Sequence, residues 1–139
     1  MLVRDLMTSP AVIIRPDAEA VEAARLLDRL NLTSLPVVDH DLRLVGIISE
    51  ADLITWLATP PRASAAGPCV RDLMTRRVLT AAADEDVSQV VSLMSETILK
   101  SLPVLLRDRV VGMVSRRDIV RAIAHGELDA RHAHALSPA

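Results

Sequence analysis

The sequence predicts an α+β protein made of two homologous strand–helix–strand–strand–helix repeats packed against each other. Three observations predict it. The segment VRDLMT stands at Val3–Thr8 and again at Val70–Thr75, 67 residues on. The segment SLPV stands at Ser34–Val37 and, at the same offset, at Ser101–Val104. A glycine-containing apolar run followed by S-x-x-D closes both copies, LVGIISEAD at Leu44–Asp52 and VVGMVSRRD at Val110–Asp118, now 66 residues apart.

The first repeat spans 2–58 and the second 69–124. After VRDLMT, the short apolar stretches AVII and VLTA read as brief first strands. Asp17 and Asp84 then stand where carboxylates can cap a helix N-terminus. Behind Asp84, Val87, Val90, Val91, Met94 and Ile98 share one helical face; Val21, Ala24, Leu27 and Leu30 do so less strongly in the first repeat. SLPVV and SLPVL lead through a polar turn into the glycine-containing run, which makes a hairpin. Pro36 and Pro103 fall near the start of their strands, where a missing N–H is tolerated. The residue lost from the second repeat lies in the turn, DHD becoming RD. A second helix begins at Ser49 or Ser115. Repeats of roughly 55 residues bury little core alone, so the two are expected to pack together. The joint TPPRASAAGP, 59–68, is a linker by composition. The tail, 125–139, is expected to lack order beyond about Glu127.

Composition narrows the function. Phe and Tyr are absent and Trp56 is the only aromatic residue, so the core is aliphatic and no stacking platform for single-stranded nucleic acid exists. A net charge of −2 gives no general attraction to nucleic acid or to an anionic membrane. Cys69 stands alone, which excludes an intramolecular disulfide and suits a reducing compartment. No leader pattern or membrane-length apolar run is present. A soluble cytoplasmic protein is expected.

Two copies of VRDLMT…SLPV…VG-h-h-S-x-x-D (h apolar) resemble a tandem pair of cystathionine-β-synthase (CBS) domains, a Bateman module. The individual motifs are weak, but their order and recurrence cover nearly all of residues 2–124. The resemblance implies two βαββα units related by pseudo-twofold symmetry, with a cleft in each. It also implies a regulatory role, pairing into a homodimer, and an adenosine-containing ligand such as AMP, ADP, ATP or S-adenosylmethionine. No cofactor is required.

The residues themselves allow that chemistry in one copy more than in the other. A strand ending at Val114 aims the next helix's N–H groups at whatever lies ahead, which favours phosphate. Ser115 offers a hydroxyl, Arg116 and Arg117 offer charge-assisted bonds, and Asp118 is an acceptor suited to ribose hydroxyls; the resemblance gives Ser115 and Asp118 those roles. S-x-x-D is equally a capping box, and the two readings are compatible. In the first repeat Ser49 and Asp52 keep the pattern, but Glu50 replaces an arginine and repels phosphate. Thr80 faces Ile13 in the alignment, which adds to the asymmetry, although Thr is also an ordinary strand residue. Val78, Leu102, Pro103 and Val104 are candidate aliphatic walls for adenine, or simply core. The corresponding weaker cleft comprises Ile13, Pro36, Val37, Ser49 and Asp52. Thr8 and Thr75 are candidates for the borders of the two clefts, while VRDLMT as a whole is expected to clamp one repeat onto the other.

Other residues point nowhere specific. His132 and His134, two apart, fall on different helical faces, so with His125 they make no expected metal site. Trp56 suits an intramolecular or dimer interface. No nucleophile–base pair or glycine-rich phosphate loop anchors catalysis, so a non-enzymatic nucleotide sensor acting on an unidentified partner protein is expected. The rival reading is a dimeric protein-interaction scaffold with empty clefts.

Overall fold

The computed structural model describes residues 1–61 and 67–133, the side chains of 132 and 133 excepted; half of the linker, 62–66, and the end of the tail, including His134, lie outside the described residues. Two compact units emerge, and their boundaries differ from those of the repeats. One unit joins Met1–Ala11 to the chain from Leu79 onward; the other is Val12–Val78. They are called here the Ser115 unit and the Ser49 unit. Each therefore contains one repeat's strands and the VRDLMT segment of the other repeat.

VRDL is not the lead-in to a strand. It forms a single helical turn, α1 (Val3–Leu6) in the Ser115 unit and α4 (Val70–Leu73) in the Ser49 unit. Its aspartate explains the repetition: Asp5 Oδ2 accepts from Leu2 N–H at 2.9 Å, and Asp72 Oδ2 accepts from Cys69 N–H at 2.8 Å. Each closes its turn by satisfying a donor that the helix leaves open. The valines Val3 and Val70 are fully buried. Burial of each contributes on the order of 2 kcal/mol. Backbone bonds complete the docking in parallel fashion. Val3 N–H donates to Glu85 O and Val87 N–H to Met1 O in the Ser115 unit; Val70 N–H donates to Ala18 O and Ala20 N–H to Pro68 O in the Ser49 unit.

The first long helices are α2 (Ala20–Leu30) and α5 (Val87–Glu96). They start later than the sequence suggests. Asp17 and Asp84 sit in tight turns, closed by Ala18 N–H to Arg15 O and Glu85 N–H to Ala82 O. The N-caps are instead Glu19, which makes no side-chain cap bond, and Asp86, which accepts from Ser88 N–H at 2.9 Å. The buried face of α2 is Ala20, Ala23 and Leu27, whereas Val21 and Leu30 are exposed. The expected face was rotated because small alanines, not the larger Val21, allow close approach. Ile98 lies beyond α5 and is 92 % exposed.

Each helix is followed by the expected hairpin. Strands β1 (Ser34–Val38) and β2 (Leu44–Ser49) pair antiparallel, as do β4 (Ser101–Leu106) and β5 (Arg109–Ser115). Both pairs shift register at the equivalent place, Val37/Val38 and Val104/Leu105. The one-residue deletion does fall in the turn. Arg107 and Asp108 both take positive φ, 51° and 65°, as a two-residue primed turn requires. The longer turn is held by Asp39 Oδ1, which accepts from Asp41 N–H and Arg43 N–H. The Arg43 amide bond leads the effects that hold the Asp39 carboxyl below its ordinary value. The first strands are much reduced: β3 is Ala81–Ala82, parallel to β4, and in the Ser49 unit only Ile14 bridges to Val37. Thr80 lies just before β3 rather than within a strand.

On the opposite sheet edge VRDLMT returns. Thr8 bridges to Met113 and Thr75 to Ile47, each through two N–H···O bonds of 2.8–3.0 Å. Helices α3 (Glu50–Ala58) and α6 (Arg116–Ala124) leave β2 and β5 directly. The tail is more ordered than expected: Leu128 is buried in the Ser115 core and α7 (Ala130–Ala133) follows. No described helix is long and apolar enough to cross a membrane.

Two glycines make the edge pairing possible. A Cβ on Gly112 would stand 2.7 Å from Met7 Sδ and 2.8 Å from Thr8 O; on Gly46 it would stand 2.7 Å from Met74 Sδ and 3.0 Å from Thr75 O. A thioether can move aside, but the carbonyl is fixed by the bridge. Gly112→Ala is therefore expected to destabilise by about 1–3 kcal/mol, and Gly46→Ala by less, in chemical denaturation. Equal, negligible effects at both positions would show that the edge segment gives way freely.

Candidate functional site

The sheet pairings decide which side chains share a face. Residues opposite one another on paired strands point the same way, and neighbours along a strand point opposite ways. In the Ser115 unit the pairs Pro103–Met113 and Thr8–Met113 place these three side chains in one row, with Ser115 two residues along β5. Thr80, half-buried, stands one residue before Ala81, whose side chain is in the core. Leu102 and Val104 occupy the other side and are core residues, 1 % and 0 % exposed. The Ser49 unit repeats the arrangement with Pro36, Ile47, Thr75 and Ser49 in the row, Ile13 beside Ile14, and Val37 in the core. Of the candidate site residues, Val104 and Val37 thus give their side chains to the core, and Pro103 and Pro36 are buried as well. Val78 is half-buried and belongs to the Ser49 unit rather than beside Thr80.

Ser115 and Asp118 form a complete capping box. Asp118 N–H donates to Ser115 Oγ at 3.2 Å, and Asp118 Oδ2 accepts from Ser115 N–H at 2.7 Å and from Ser115 Oγ–H at 2.9 Å. Its Oδ1 accepts from Thr8 Oγ1 at 3.1 Å and meets Arg121 Nη1 at 3.4 Å. Asp118 is only 5 % exposed. Its charge is therefore balanced by hydrogen bonds from three residues, as a buried carboxylate needs. Asp52 is placed alike, with Ser49 N–H at 2.9 Å, Ser49 Oγ–H at 3.0 Å and Thr75 Oγ1 at 3.1 Å. It lacks the arginine, because Thr55 stands where the second repeat has Arg121. The two threonines of VRDLMT are the residues that sequence reasoning underweighted. Their recurrence was visible, but the carboxylates they reach lie 110 and 23 residues away.

The arginines divide in role. Arg116 Nε donates to Leu99 O at 2.9 Å, which ties its side chain back toward the loop before β4. Arg117 is exposed and has no partner among the described residues. At the start of α6, Arg116 N–H is taken by Lys100 O and Asp118 N–H by Ser115 Oγ, so Arg117 supplies both the open first-turn amide and the open guanidinium. At the start of α3 the same positions hold Glu50 and Ala51. Among the described residues, no group of three or more His, Cys, Asp or Glu is arranged to hold a metal ion. Cys69 is half-buried, and His125 is an exposed helix C-cap.

Known proteins share this arrangement. The model of the CBS domain matches residues 3–59 and 70–125. The solved CBS domain pair of protein MJ0100, in complex with 5′-methylthioadenosine and S-adenosyl-L-methionine, is 34 % identical with a TM-score of 0.78; the match covers 91 % of this chain and 98 % of that one. CBSX2 from Arabidopsis thaliana, solved in complex with AMP, is 27 % identical with a TM-score of 0.79, over 89 % of this chain and 97 % of that one. Among curated sequences, the L-aspartate semialdehyde sulfurtransferase of Methanocaldococcus jannaschii is 36 % identical over 86 % of this chain, but over 23 % of its own length. A homoserine O-acetyltransferase of Methanohalobium evestigatum is matched over 24 % of its length. The chain thus spans about a quarter of these enzymes.

The cap geometry sets an expectation for stability. Asp118→Ala strands the Ser115 amide and removes the acceptor of Thr8 and Arg121 within a buried setting. It is expected to cost on the order of 2–3 kcal/mol, against about 1–2 kcal/mol for the less buried Asp52→Ala. Thermal or urea denaturation of the two variants checks the order, which a larger loss at Asp52 would reverse.

Proposed function

The chain belongs to the CBS domain family, with two units in tandem, and on that premise we propose that it is a non-enzymatic regulatory module. In this reading the Ser115 unit binds an adenosine nucleotide of the AMP, ADP or ATP class, and binding is signalled through a homodimer. The observation that carries it is Arg117: an exposed guanidinium and an open backbone amide meet at the first turn of α6, beside a capped Ser–Asp pair. A helix N-terminus with an added arginine suits phosphate. Met113 and Thr80, both half-buried, supply an apolar surface with one hydroxyl, and the buried Pro103 backs it. In this reading Asp118, whose oxygens accept from Ser115, Thr8 and Arg121, meets ribose hydroxyls by exchanging the Thr8 or Arg121 bond for them. The MJ0100 pair and CBSX2 were solved in complex with adenosine derivatives, which supports the class. The enzymes among the relatives match this chain over only a quarter of their length, so their activities are not carried over.

The homodimer rests on a second observation. Ile54 and Leu57 on α3 are 66 % and 75 % exposed, and Val120 and Ile123 at the equivalent positions of α6 are 63 % and 56 % exposed. Each unit thus exposes two apolar side chains at the same places on its second helix, which suits self-association, with the half-buried Trp56 beside the first pair on α3. This same observation favours the alternative of a dimeric interaction scaffold whose clefts hold nothing. Cytoplasmic location and an unidentified regulated protein remain part of the proposal.

Titration separates the two readings. A nucleotide at about 100 times its dissociation constant should stabilise the protein by roughly 2.7 kcal/mol, visible as a rise in Tm. Arg117→Gln should weaken a phosphorylated nucleotide about tenfold without lowering the Tm of the free protein. No response to AMP, ADP, ATP or S-adenosylmethionine at millimolar concentration leaves the scaffold reading alone. For the dimer, sedimentation equilibrium should give twice the chain mass, and the Ile54→Asp/Val120→Asp variant should give the monomer mass with its secondary structure intact. A monomeric wild type would remove the dimer from the proposal.

A further inference from the structure

The tail is held to the Ser115 unit by a contact that the Ser49 unit does not repeat. Gly126, with φ 73°, ends α6, and the chain turns back so that Glu127 N–H and Leu128 N–H both donate to Ala122 O, at 2.9 and 3.3 Å. Leu128 then enters the core cluster that holds Val90, Met94 and Ala122, and α7 packs on α5. Among the described residues after Ala122, Leu128 is the only buried one. The Asp129–Arg131 pair that follows is exposed on both sides and adds little. One side chain and two amide bonds therefore hold the segment, against the entropy of ordering it. At the position of Ala122 the Ser49 unit has Trp56, and the described residues that follow α3, Thr59 to Pro61, are exposed.

The helix under this segment has the reverse of the polarity that burial favours. Ser88, on the first turn of α5, is 6 % exposed, and its hydroxyl has no hydrogen-bond partner among the described residues. Its counterpart 67 residues earlier is Val21 on α2, which is 40 % exposed. The polar residue is covered and the apolar one is open. The surroundings of the two helices differ in one respect that matches. α1 on α5 corresponds to α4 on α2, whereas α7 on α5 has no counterpart on α2. A hydroxyl buried without a partner raises the free energy of the closed arrangement, and opening returns it to water.

We propose that the tail from Gly126 through α7 is a removable cover on α5 and α6, and that the slot filled by Leu128 is a docking site for a leucine-bearing segment of a partner protein. Uncovered, the slot presents Val90, Met94 and Ala122, with the Ser88 hydroxyl on the same helix as the first two. The tail fills the apolar part and leaves the hydroxyl stranded. A segment that places a leucine in the slot and a carbonyl or carboxylate oxygen on Ser88 satisfies both, and so displaces the tail. This surface lies apart from the nucleotide reading and does not depend on it.

Amide hydrogen exchange and a peptide titration of the full chain test it. The Glu127 and Leu128 amides should exchange at least tenfold faster than those of Val90 and Met94, because the cover opens without unfolding the core. Ser88→Ala removes the stranded hydroxyl and should slow the Glu127 and Leu128 amides at least threefold. Leu128→Ala should speed Glu127 at least tenfold. A synthetic peptide copying residues 126–133 should bind the Leu128→Ala protein at least tenfold more tightly than the wild type, whose slot is filled. The same peptide with alanine in place of its leucine should bind neither. Should Leu128→Ala fail to fold, Gly126→Ala, strained at its positive φ, opens the cover instead and takes its place in the titration. Equal exchange at all four amides, or exchange at Glu127 and Leu128 indifferent to Ser88→Ala, overturns the cover. A peptide that binds the opened variant no better than the wild type overturns the docking slot.

Discussion

A glycine in the last strand of each repeat decides how the chain folds. At Gly46 and Gly112 there is no room for a Cβ, because a methionine and a threonine carbonyl of a VRDLMT segment already lie against the strand. That close approach lets the segment pair with the strand edge through backbone bonds at Thr75 and Thr8. Pairing covers an edge that would otherwise expose unsatisfied N–H and C=O groups. It also delivers a threonine hydroxyl to the aspartate that starts the following helix. The turn of VRDL, the buried valine, the strand edge and the helix cap are consequently one connected assembly in each unit.

This assembly explains which parts of the fold were legible in the sequence. Recurrence located VRDLMT, SLPV and S-x-x-D, and alternation identified the two hairpins, because those signals are local and repeated. Helix starts are less legible. Asp17 and Asp84 look like caps, but backbone from the docked segment already supplies partners for Ala20 and Val87, so the helix begins where that tertiary contact ends. The turn at VRDL was missed for a related reason. Four residues have little helical pattern of their own, and the acid that stabilises them acts on a single backbone donor. Leu128 escaped notice because one buried leucine in a polar tail has no periodicity.

At the start of α6 the bonds of Asp118 are those of a cap. Asp118 is fully engaged in holding the start of α6, and that engagement fixes its position and keeps its lone pairs directed. The same bonds would be wasted on a mobile surface carboxylate. Arg116 shows the opposite case: a residue that looks like a phosphate ligand in sequence is drawn to the carbonyl of Leu99. Only its neighbour remains open. Sequence patterns specify residue types at a site, whereas the division of labour between adjacent arginines is set by which carbonyls lie within reach.

The exchange of segments also alters how divergence between the repeats should be read. In a duplicated protein whose repeats fold independently, a charge lost from one copy is lost from that copy's site. Here the residues after the VRDLMT threonine belong in sequence to one repeat and in space to the other's sheet. Arg76 and Arg77 align with Ser9 and Pro10, which makes them look like an embellishment of the second repeat. In the folded chain they stand beside Thr75 and hence beside Asp52, opposite the helix start that lost its arginines. Two substitutions that seem unrelated along the chain, Arg to Glu at one place and Ser to Arg at another, act on one electrostatic environment. The two units can therefore diverge in charge pattern while each keeps cations near its aspartate, and a comparison of repeats by alignment alone will misassign which aspartate each cation stands near.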